Sequence, residues 1–403
     1  VVLAQGPYSG PGGAGVGVCR GGVVAVDWAL EALQALEAAG RRRQVRALEP
    51  VDAVTVRWRD HTIRLFSGND YLGLSTHPAV KQAVMHAAES SGMGPRGSAL
   101  ICGYTTAHEA LEMSIAQLKN TESSLVFSSG FAANLGLLTS LGGAGTTFFS
   151  DALNHASIID GCRLARGQIV VYAHRNMDDL RDRLRASDAA RKVIVTDAVF
   201  SMEGTCAPLP TLVQLAKEEG AVIVVDEAHA TLVMGPNGGG LVDVFGLADE
   251  VDFQVGTLSK AVGALGGYVA CTQERREWLF NTARSYIFST ALPVPVVVGA
   301  RAAIEEARGN PSHRERLWEN MSRFGNAIGM EMASPIASTV LGDEDAAVEA
   351  SARLLAQGFY VSAIRPPTIP EGSSRLRVAL SAQHTAEDVD GLLDAMRVIG
   401  LVR

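Results

Sequence analysis

The sequence contains no GxxxxGK[ST] stretch and no CxxC pair. Its apolar runs are all broken well short of the roughly 18 residues a membrane helix needs. Without a phosphate loop there is no nucleotide-driven motor, and without a long apolar run no membrane partner is expected. An excess of positive charge is missing too. The chain has 35 Lys+Arg against 43 Asp+Glu, a formal net charge of −8, which argues against nucleic acid as a partner, since phosphate recognition takes a basic face. Cysteine is scarce, with Cys19, Cys102, Cys162, Cys206 and Cys271. An odd count without paired spacing supplies neither a disulfide framework nor a zinc site, so no metal is expected and the compartment reads as reducing. The expectation is a soluble, cytoplasmic protein, with a peroxisome or mitochondrion as the organelle alternatives. The C-terminal "GLVR" matches no peroxisomal tripeptide.

What is present describes an ordinary globular chain. Its 403 residues are 47% hydrophobic and 19% charged, enough for one large domain and a smaller one. Residues 1–26 read as a flexible Gly-rich extension. Residues 27–66 read as an N-terminal helix and strand segment, 67–295 as the large domain and 296–403 as a small C-terminal domain. "DWALEALQALEAAG" carries a helical stripe of Trp28, Leu30, Leu33 and Leu36, and Arg41–Arg43 follow it, either as a solvated helix end or as substrate-facing cations. The β-rich runs "SSLVF", "TTFFS", "QIVVY", "KVIVTDAVF", "AVIVVD", "VDFQVGT" and "GGYVACT" alternate with helical patterns. That alternation predicts an α/β fold, a large mostly parallel sheet covered by helices on both faces. A long helix after Pro295 leads to a smaller α+β domain with strands near "ASTVL", "YVSAI" and "SRLRVAL". In such sheets ligands gather beyond the carboxyl ends of the strands.

"AVIVVDEAHATLVMG" holds an acid-rich box that a nucleotide-driven helicase would also show, but no phosphate loop accompanies it. Other residues offer a different chemistry. Lys260, in "GTLSKAVGALGGY", follows a strand in an apolar, Gly-rich setting. A single lysine is ordinarily a solvated charge, whereas a desolvated one loses proton affinity and can form a Schiff base. An upstream strand-end acid, Asp226, then points to pyridoxal 5′-phosphate (PLP), whose ring nitrogen must stay protonated to draw electrons. The phosphate needs free amides, and Gly130 and Phe131 in "SSGFAANLG" open a helix that offers them. Thr257 could add a hydroxyl. His155 in "SDALNHASIIDG" could cover one face of the ring, and His229 and Ser201 could reach its phenolic oxygen.

With these residues assembled the chain resembles the α-oxoamine synthases, fold-type I PLP-dependent transferases that join an amino acid to an acyl thioester. "SGNDYLGLS", "GYTTAHEALE", "SSGFAANLG", "DALNHASIIDG", "FSMEG", "DEAHAT" and "TLSKA" stand in the family's order. The resemblance implies that Lys260 holds the cofactor covalently and removes the amino acid's α-proton. It implies that Asp226 pairs with the ring nitrogen, that His155 stacks on the ring, and that His229 and Ser201 touch the phenolic oxygen. Gly130, Phe131 and Thr257 would surround the phosphate. The family's homodimers would bring Thr290 to the neighbour's phosphate, and Asn69, Arg365, Thr368 and Arg377 would bind substrate, Arg377 at the amino-acid carboxylate.

"AIRPPTIP" is similar to a segment of the family's 8-amino-7-oxononanoate synthase branch. That likeness implies L-alanine and a pimeloyl thioester, on coenzyme A or a carrier protein, as substrates in biotin biosynthesis. The far carboxylate of the acyl chain would meet Arg365 or Arg41–Arg43. Relatives using glycine or serine, and catalytically silent subunits, are the alternatives. Two departures stand out: Glu203-Gly204-Thr205 where an Asp-Gly-Asp type sequence is usual, and Glu227 and Ala230 in a box commonly written "DDAHGT".

Overall fold

The computed structural model describes residues 27–43 and 45–402, so the Gly-rich head lies outside the described residues. The chain divides into two compact units at position 44/45. In the first, Asp27 caps the helix Trp28–Ala38, its Oδ1 accepting the N–H groups of Ala29 and Leu30 at 3.2 and 3.3 Å. Arg42 forms an ion pair with Glu37 at 2.8 Å.

The second unit contains three sheets. A four-stranded sheet runs in the order β1 (Glu49–Pro50), β2 (Thr55–Trp58), β3 (His61–Leu65) and β12 (Phe359–Tyr360). The strand half of segment 27–66 therefore pairs with the C-terminal part of the chain. The main sheet has seven strands: β4 (Ser123–Phe127), β5 (Thr146–Asp151), β6 (Gln168–Tyr172), β7 (Arg191–Asp197), β8 (Val222–Asp226), β9 (Phe253–Thr257) and β10 (Gly267–Cys271). Their spatial order is β4-β10-β9-β8-β7-β5-β6, with β10 antiparallel to both neighbours and the remaining pairs parallel. The third sheet, β11 (Ile336–Gly342), β14 (Ser374–Ala379) and β13 (Ser362–Ile364), is antiparallel. Each run read as a strand from the sequence overlaps one of these, except that "YVSAI" is split at Val361 between β12 of the first sheet and β13 of the third, and "KVIVTDAVF" leaves its strand after Asp197. The helix after Pro293, Val294–Gly309, packs on the helices Pro78–Ser91 and Thr106–Lys119. Among the described residues no helix is long and apolar enough to cross a membrane.

The period of two decides what the main sheet presents to each side. Phe148, Val193, Val195, Val224 and Val255 enter one core, which they share with Ala133, Leu137, Leu138 and Leu141 of the helix Gly130–Leu141. Phe149, Ile194, Ile223, Val225 and Tyr268 enter the other. Asp197, Asp226 and Thr257 lie two residues beyond Val195, Val224 and Val255. These strand-end polar groups thus fall on the face covered by the helix that begins at Gly130.

The third sheet grips the "FSMEG" loop through alternate residues of β14. Arg375 pairs with Glu203 at 2.9 Å and donates to the Met202 carbonyl at 3.2 Å, while Arg377 Nε donates to the Ser201 carbonyl at 2.7 Å. Ser334 Oγ donates to the Gly204 carbonyl at 2.8 Å. The Glu203 departure thus has a structural role: its side chain reaches the sheet arginine. Gly204 has φ +74°, and a Cβ there would lie 2.2 Å from the Ile336 carbonyl oxygen. Gly329 has a similar φ of +68° with open space around it. Gly204→Ala should therefore cost more than the roughly 1 kcal/mol left-handed penalty that Gly329→Ala bears. Urea unfolding of the two variants checks this, with the midpoint falling further for Gly204→Ala.

Candidate active site

Lys260 lies in the turn between β9 and β10, two residues after Leu258, whose N–H donates to Gly266 O at 2.9 Å. Gly263 closes the turn by donating to Lys260 O at 2.8 Å, at φ +72° and with Ser75 N only 2.4 Å from where a Cβ would sit. The loop is folded so tightly against the chain at Ser75 that only glycine fits. Burial lowers the Lys260 pKa below its ordinary 10.5, the negative charges of Asp226 and Asp197 oppose the shift, and the Arg377 charge adds to it. The outcome is an amine more readily neutral than a solvated lysine.

Asp226 ends β8 and is buried. Its Oδ2 accepts from Asn134 Nδ2 at 2.6 Å and its Oδ1 from the Ala228 N–H at 2.9 Å, so each oxygen keeps a lone pair for another donor. Asp197 stands beside it in register on β7 and accepts the His155 N–H at 2.7 Å. Burial, followed by the Asp226 charge, pushes the Asp197 pKa well above the usual carboxylate range. His155 caps the helix Ala156–Leu164, with Nδ1 2.8 Å from Ser157 Oγ. The residue is exposed on one side, and desolvation by the protein around the ring lowers its pKa, against the pull of Asp226.

A second polar network closes the other side. His229 Nδ1 lies 2.7 Å from Tyr71 OH, and Tyr71 OH is 3.2 Å from Asn69 Oδ1. Arg377 Nη2 donates to that same Asn69 oxygen at 3.2 Å. Burial holds His229 well below its ordinary pKa, and the nearby cations Lys260 and Arg377 add to the effect, so the imidazole is neutral.

At the start of the helix Gly130–Leu141, Ser129 caps the Ala132 N–H at 3.1 Å. A Cβ on Gly130 would meet Thr257 Cβ at 3.1 Å. Glycine thus lets Thr257 sit against the first turn, where backbone amides attract an anion. Thr257 Oγ1 donates to Gly266 O at 2.9 Å and is 2.7 Å from Ser259 Oγ.

This donor set fits PLP. Lys260 supplies an amine for an aldehyde, Asp226 an accepting carboxylate for a ring nitrogen, and the Gly130 turn with Thr257 a cradle for a phosphate. The buried Asn134 Oδ1, without a partner among the described residues, marks polar space at the same place.

The sequence model of the aminotransferase class I and II family matches residues 62–396. The chain belongs to that family. The 8-amino-7-oxononanoate synthase of Lysinibacillus sphaericus is 44% identical, covering 91% of this chain and 96% of its own. That of Arabidopsis thaliana is 48% identical over 82% of this chain and 74% of its own. Among solved structures, serine palmitoyltransferase from S. paucimobilis, with bound PLP and myriocin, superposes with a TM-score of 0.88 at 32% identity over 93% of this chain and 98% of its own. The 8-amino-7-oxononanoate synthase of Francisella tularensis gives 0.71 at 30% identity over 84% and 96%.

The remaining expected site residues of this aminotransferase-family chain are dispersed. Phe131 is 45% exposed on the first turn of its helix. Ser201 meets Arg377 through its carbonyl. Thr290 is exposed and bridged to Ser98. Arg365 and Thr368 share the turn after β13, where the Thr368 N–H donates to the Arg365 carbonyl at 3.1 Å. The Glu227 departure is explained by its surroundings. Its two oxygens accept the Leu241 and Val242 N–H groups at 2.9 and 2.8 Å, and Gly240, at φ +105°, makes the room. Sequence reading missed Asn134, Ser157, Tyr71 and Asp197. The available signals were helical spacing from Gly130 to Asn134 and strand-end alignment of "VTD" with "VVD".

One histidine–acid cluster lies apart from the site. His77, Glu306 and His313 place their ligand atoms within 4.8 Å of one another. Arg316 donates to His313 Nδ1 at 3.1 Å, which leaves the ring proton on Nε2, directed at Glu306 Oε1 3.2 Å away. That arrangement is a hydrogen-bonded helix junction with one prospective metal lone pair already protonated.

The depressed Lys260 pKa has a measurable sign. Covalent attachment of PLP to the apoprotein should speed up with rising pH and level off at a midpoint below 10.5. In Asp197→Asn, which removes a charge that stabilises the ammonium, the midpoint should move lower still. Stopped-flow absorbance after PLP addition reads both.

Proposed function

We propose that this chain catalyses the PLP-dependent, decarboxylating condensation of L-alanine with a pimeloyl thioester, giving 8-amino-7-oxononanoate for biotin biosynthesis. The observation that carries the reading is the half-buried Lys260 amine, desolvated by its surroundings and under the charges of Asp226, Asp197 and Arg377, with His155 and His229 close enough to feel it. It is supported by relatives of that name at 41–48% identity over most of the chain.

Bound here, PLP supplies an aldehyde to take up the amino group and an electron-poor ring to stabilise negative charge on the adjacent carbon. The protein's residues do the rest. Asp226, kept in place by Asn134 and Ala228, would accept a hydrogen bond from the protonated ring nitrogen and so keep the ring electron-poor. The Gly130 turn and Thr257 hold the phosphate, with Phe131 at its edge. His155 would cover the ring face, and His229 and Ser201 would reach its phenolic oxygen. Lys260, as a neutral amine, would take the α-proton of alanine and later return a proton to the product carbon. Arg377 has two donors fixed by Ser201 and Asn69, which aims its other N–H groups at the alanine carboxylate. The condensation would release the thiol of the thioester and the alanine carboxylate as carbon dioxide. The active assembly is a homodimer in which Thr290 serves the partner's phosphate.

A serine- or glycine-using relative is the second reading, favoured by the serine palmitoyltransferase superposition. Sequence identity of 48% and 44% to the alanine-type relatives, against 32% to that enzyme, supports alanine. Purified protein given L-alanine and pimeloyl-coenzyme A should release thiol and carbon dioxide in equal amounts, with much slower turnover on glycine or serine. Lys260→Ala should abolish release. A preference for serine with a long acyl thioester would overturn the assignment. For Arg365, and with it Thr368 on the same turn, we place the acyl chain's far carboxylate nearby. Arg365→Gln should raise KM for the pimeloyl thioester about tenfold, the scale of one lost charge-assisted bond, while leaving a plain acyl thioester unaffected.

A further inference from the structure

Asn134 occupies the fifth position of the helix whose first residue is Gly130, so the two share a face one turn apart. Its side chain is 1% exposed, and its Nδ2 donates in two directions, to Asp226 Oδ2 at 2.6 Å and to Ser157 Oγ at 2.9 Å. The amide has one possible orientation. Turned over, it would set an oxygen against the Asp226 carboxylate at hydrogen-bond distance, acceptor to acceptor. With its oxygen receiving the Asn134 proton, the Ser157 hydroxyl is free to donate, and His155 Nδ1 lies 2.8 Å away. The Ser157 backbone N–H points to that same nitrogen at 3.2 Å. Two donors converge on His155 Nδ1, which is therefore an acceptor, and the ring proton belongs on Nε2.

We propose that Asn134 is a positioning residue that aims the Asp226 carboxylate and, through Ser157, locks His155 as the tautomer with its proton on Nε2. One helix then sets three features of the site: the anion-binding first turn, the direction of the acid, and the hydrogen bonding of the imidazole. This explains why a buried amide oxygen is left without a partner among the described residues. Satisfying it by rotation would break both donations, including one to an acid, and a charge-assisted bond outweighs a neutral acceptor. The inference rests on the PLP reading for the purpose of aiming Asp226, while the state of His155 follows from the protein alone.

The test uses the full-length chain labelled with [15N]histidine, the His155 signal being assigned with His155→Gln, together with PLP affinity measured by fluorescence quenching of the apoprotein. In the native sequence His155 should show an unprotonated, accepting Nδ1 and a protonated Nε2. Asn134→Asp removes both donations and offers Ser157 an acceptor, so the hydroxyl turns away from His155. The His155 protonation midpoint should then rise by roughly half a unit or more, and PLP should bind at least tenfold more weakly. Ser157→Ala retains the Asn134–Asp226 bond and guards against a folding defect in the first variant. It should shift His155 in the same sense and leave PLP affinity within about threefold. Unchanged His155 signals in both variants, or native-like PLP affinity in Asn134→Asp, would overturn the proposal. Failure of the native apoprotein to bind PLP would instead overturn the cofactor reading and leave the His155 result standing or falling by itself.

Discussion

Desolvation of the half-buried Lys260 amine works against two strand-end carboxylates. Desolvation favours the neutral base, Asp226 and Asp197 favour the ammonium, and the site depends on the first effect winning. Its geometry comes from the period of two. Because Val195, Val224 and Val255 face the helix Gly130–Leu141, the polar residues two positions later must face it too. The parallel sheet ends its strands at one edge, and the antiparallel β9–β10 connection brings the lysine back over that edge. Apolar packing along the strands therefore brings acid, hydroxyl and amine to one edge, where Asn134 and the Gly263 turn fix the acid and the amine.

The same edge is secured from the third sheet. Arg375 and Arg377 leave β14 on one face and hold consecutive parts of the "FSMEG" loop, Arg375 at Met202 and Glu203 and Arg377 at Ser201. Arg377 also joins Asn69 and Tyr71, and Tyr71 reaches His229. One guanidinium thus ties the small sheet, the Asn69–Tyr71 segment and the strand-end histidine together. Such sharing makes Arg377 a junction of three parts of the chain, in contrast to Arg375, which holds the loop and the Ser373 carbonyl just before its own strand.

Strands were legible because their apolar runs are short, β-rich and bounded by turn residues. Lys260 and Asp226 were legible because an amine or acid at the end of an apolar strand is expensive unless it has a function. The small sheet near β1–β3 was less so, since its pairing with β12 joins segments about three hundred residues apart and no local pattern announces it. Asn134 and Ser157 were hidden for another reason. Each is a small polar residue inside a helix, and only the packing of two helices on one sheet face shows that they meet. Glu227 and Glu203 read as departures from a motif, and the contacts they make, capping a helix and binding Arg375, appear only in three dimensions.

The central claim is that the amine at position 260 is the one that links to PLP. Treating the PLP-loaded protein with borohydride, digesting it and sequencing the modified peptide by mass spectrometry tests this directly. A phosphopyridoxyl group on Lys260 is the predicted result. Its appearance on another lysine, or on none, would contradict the account.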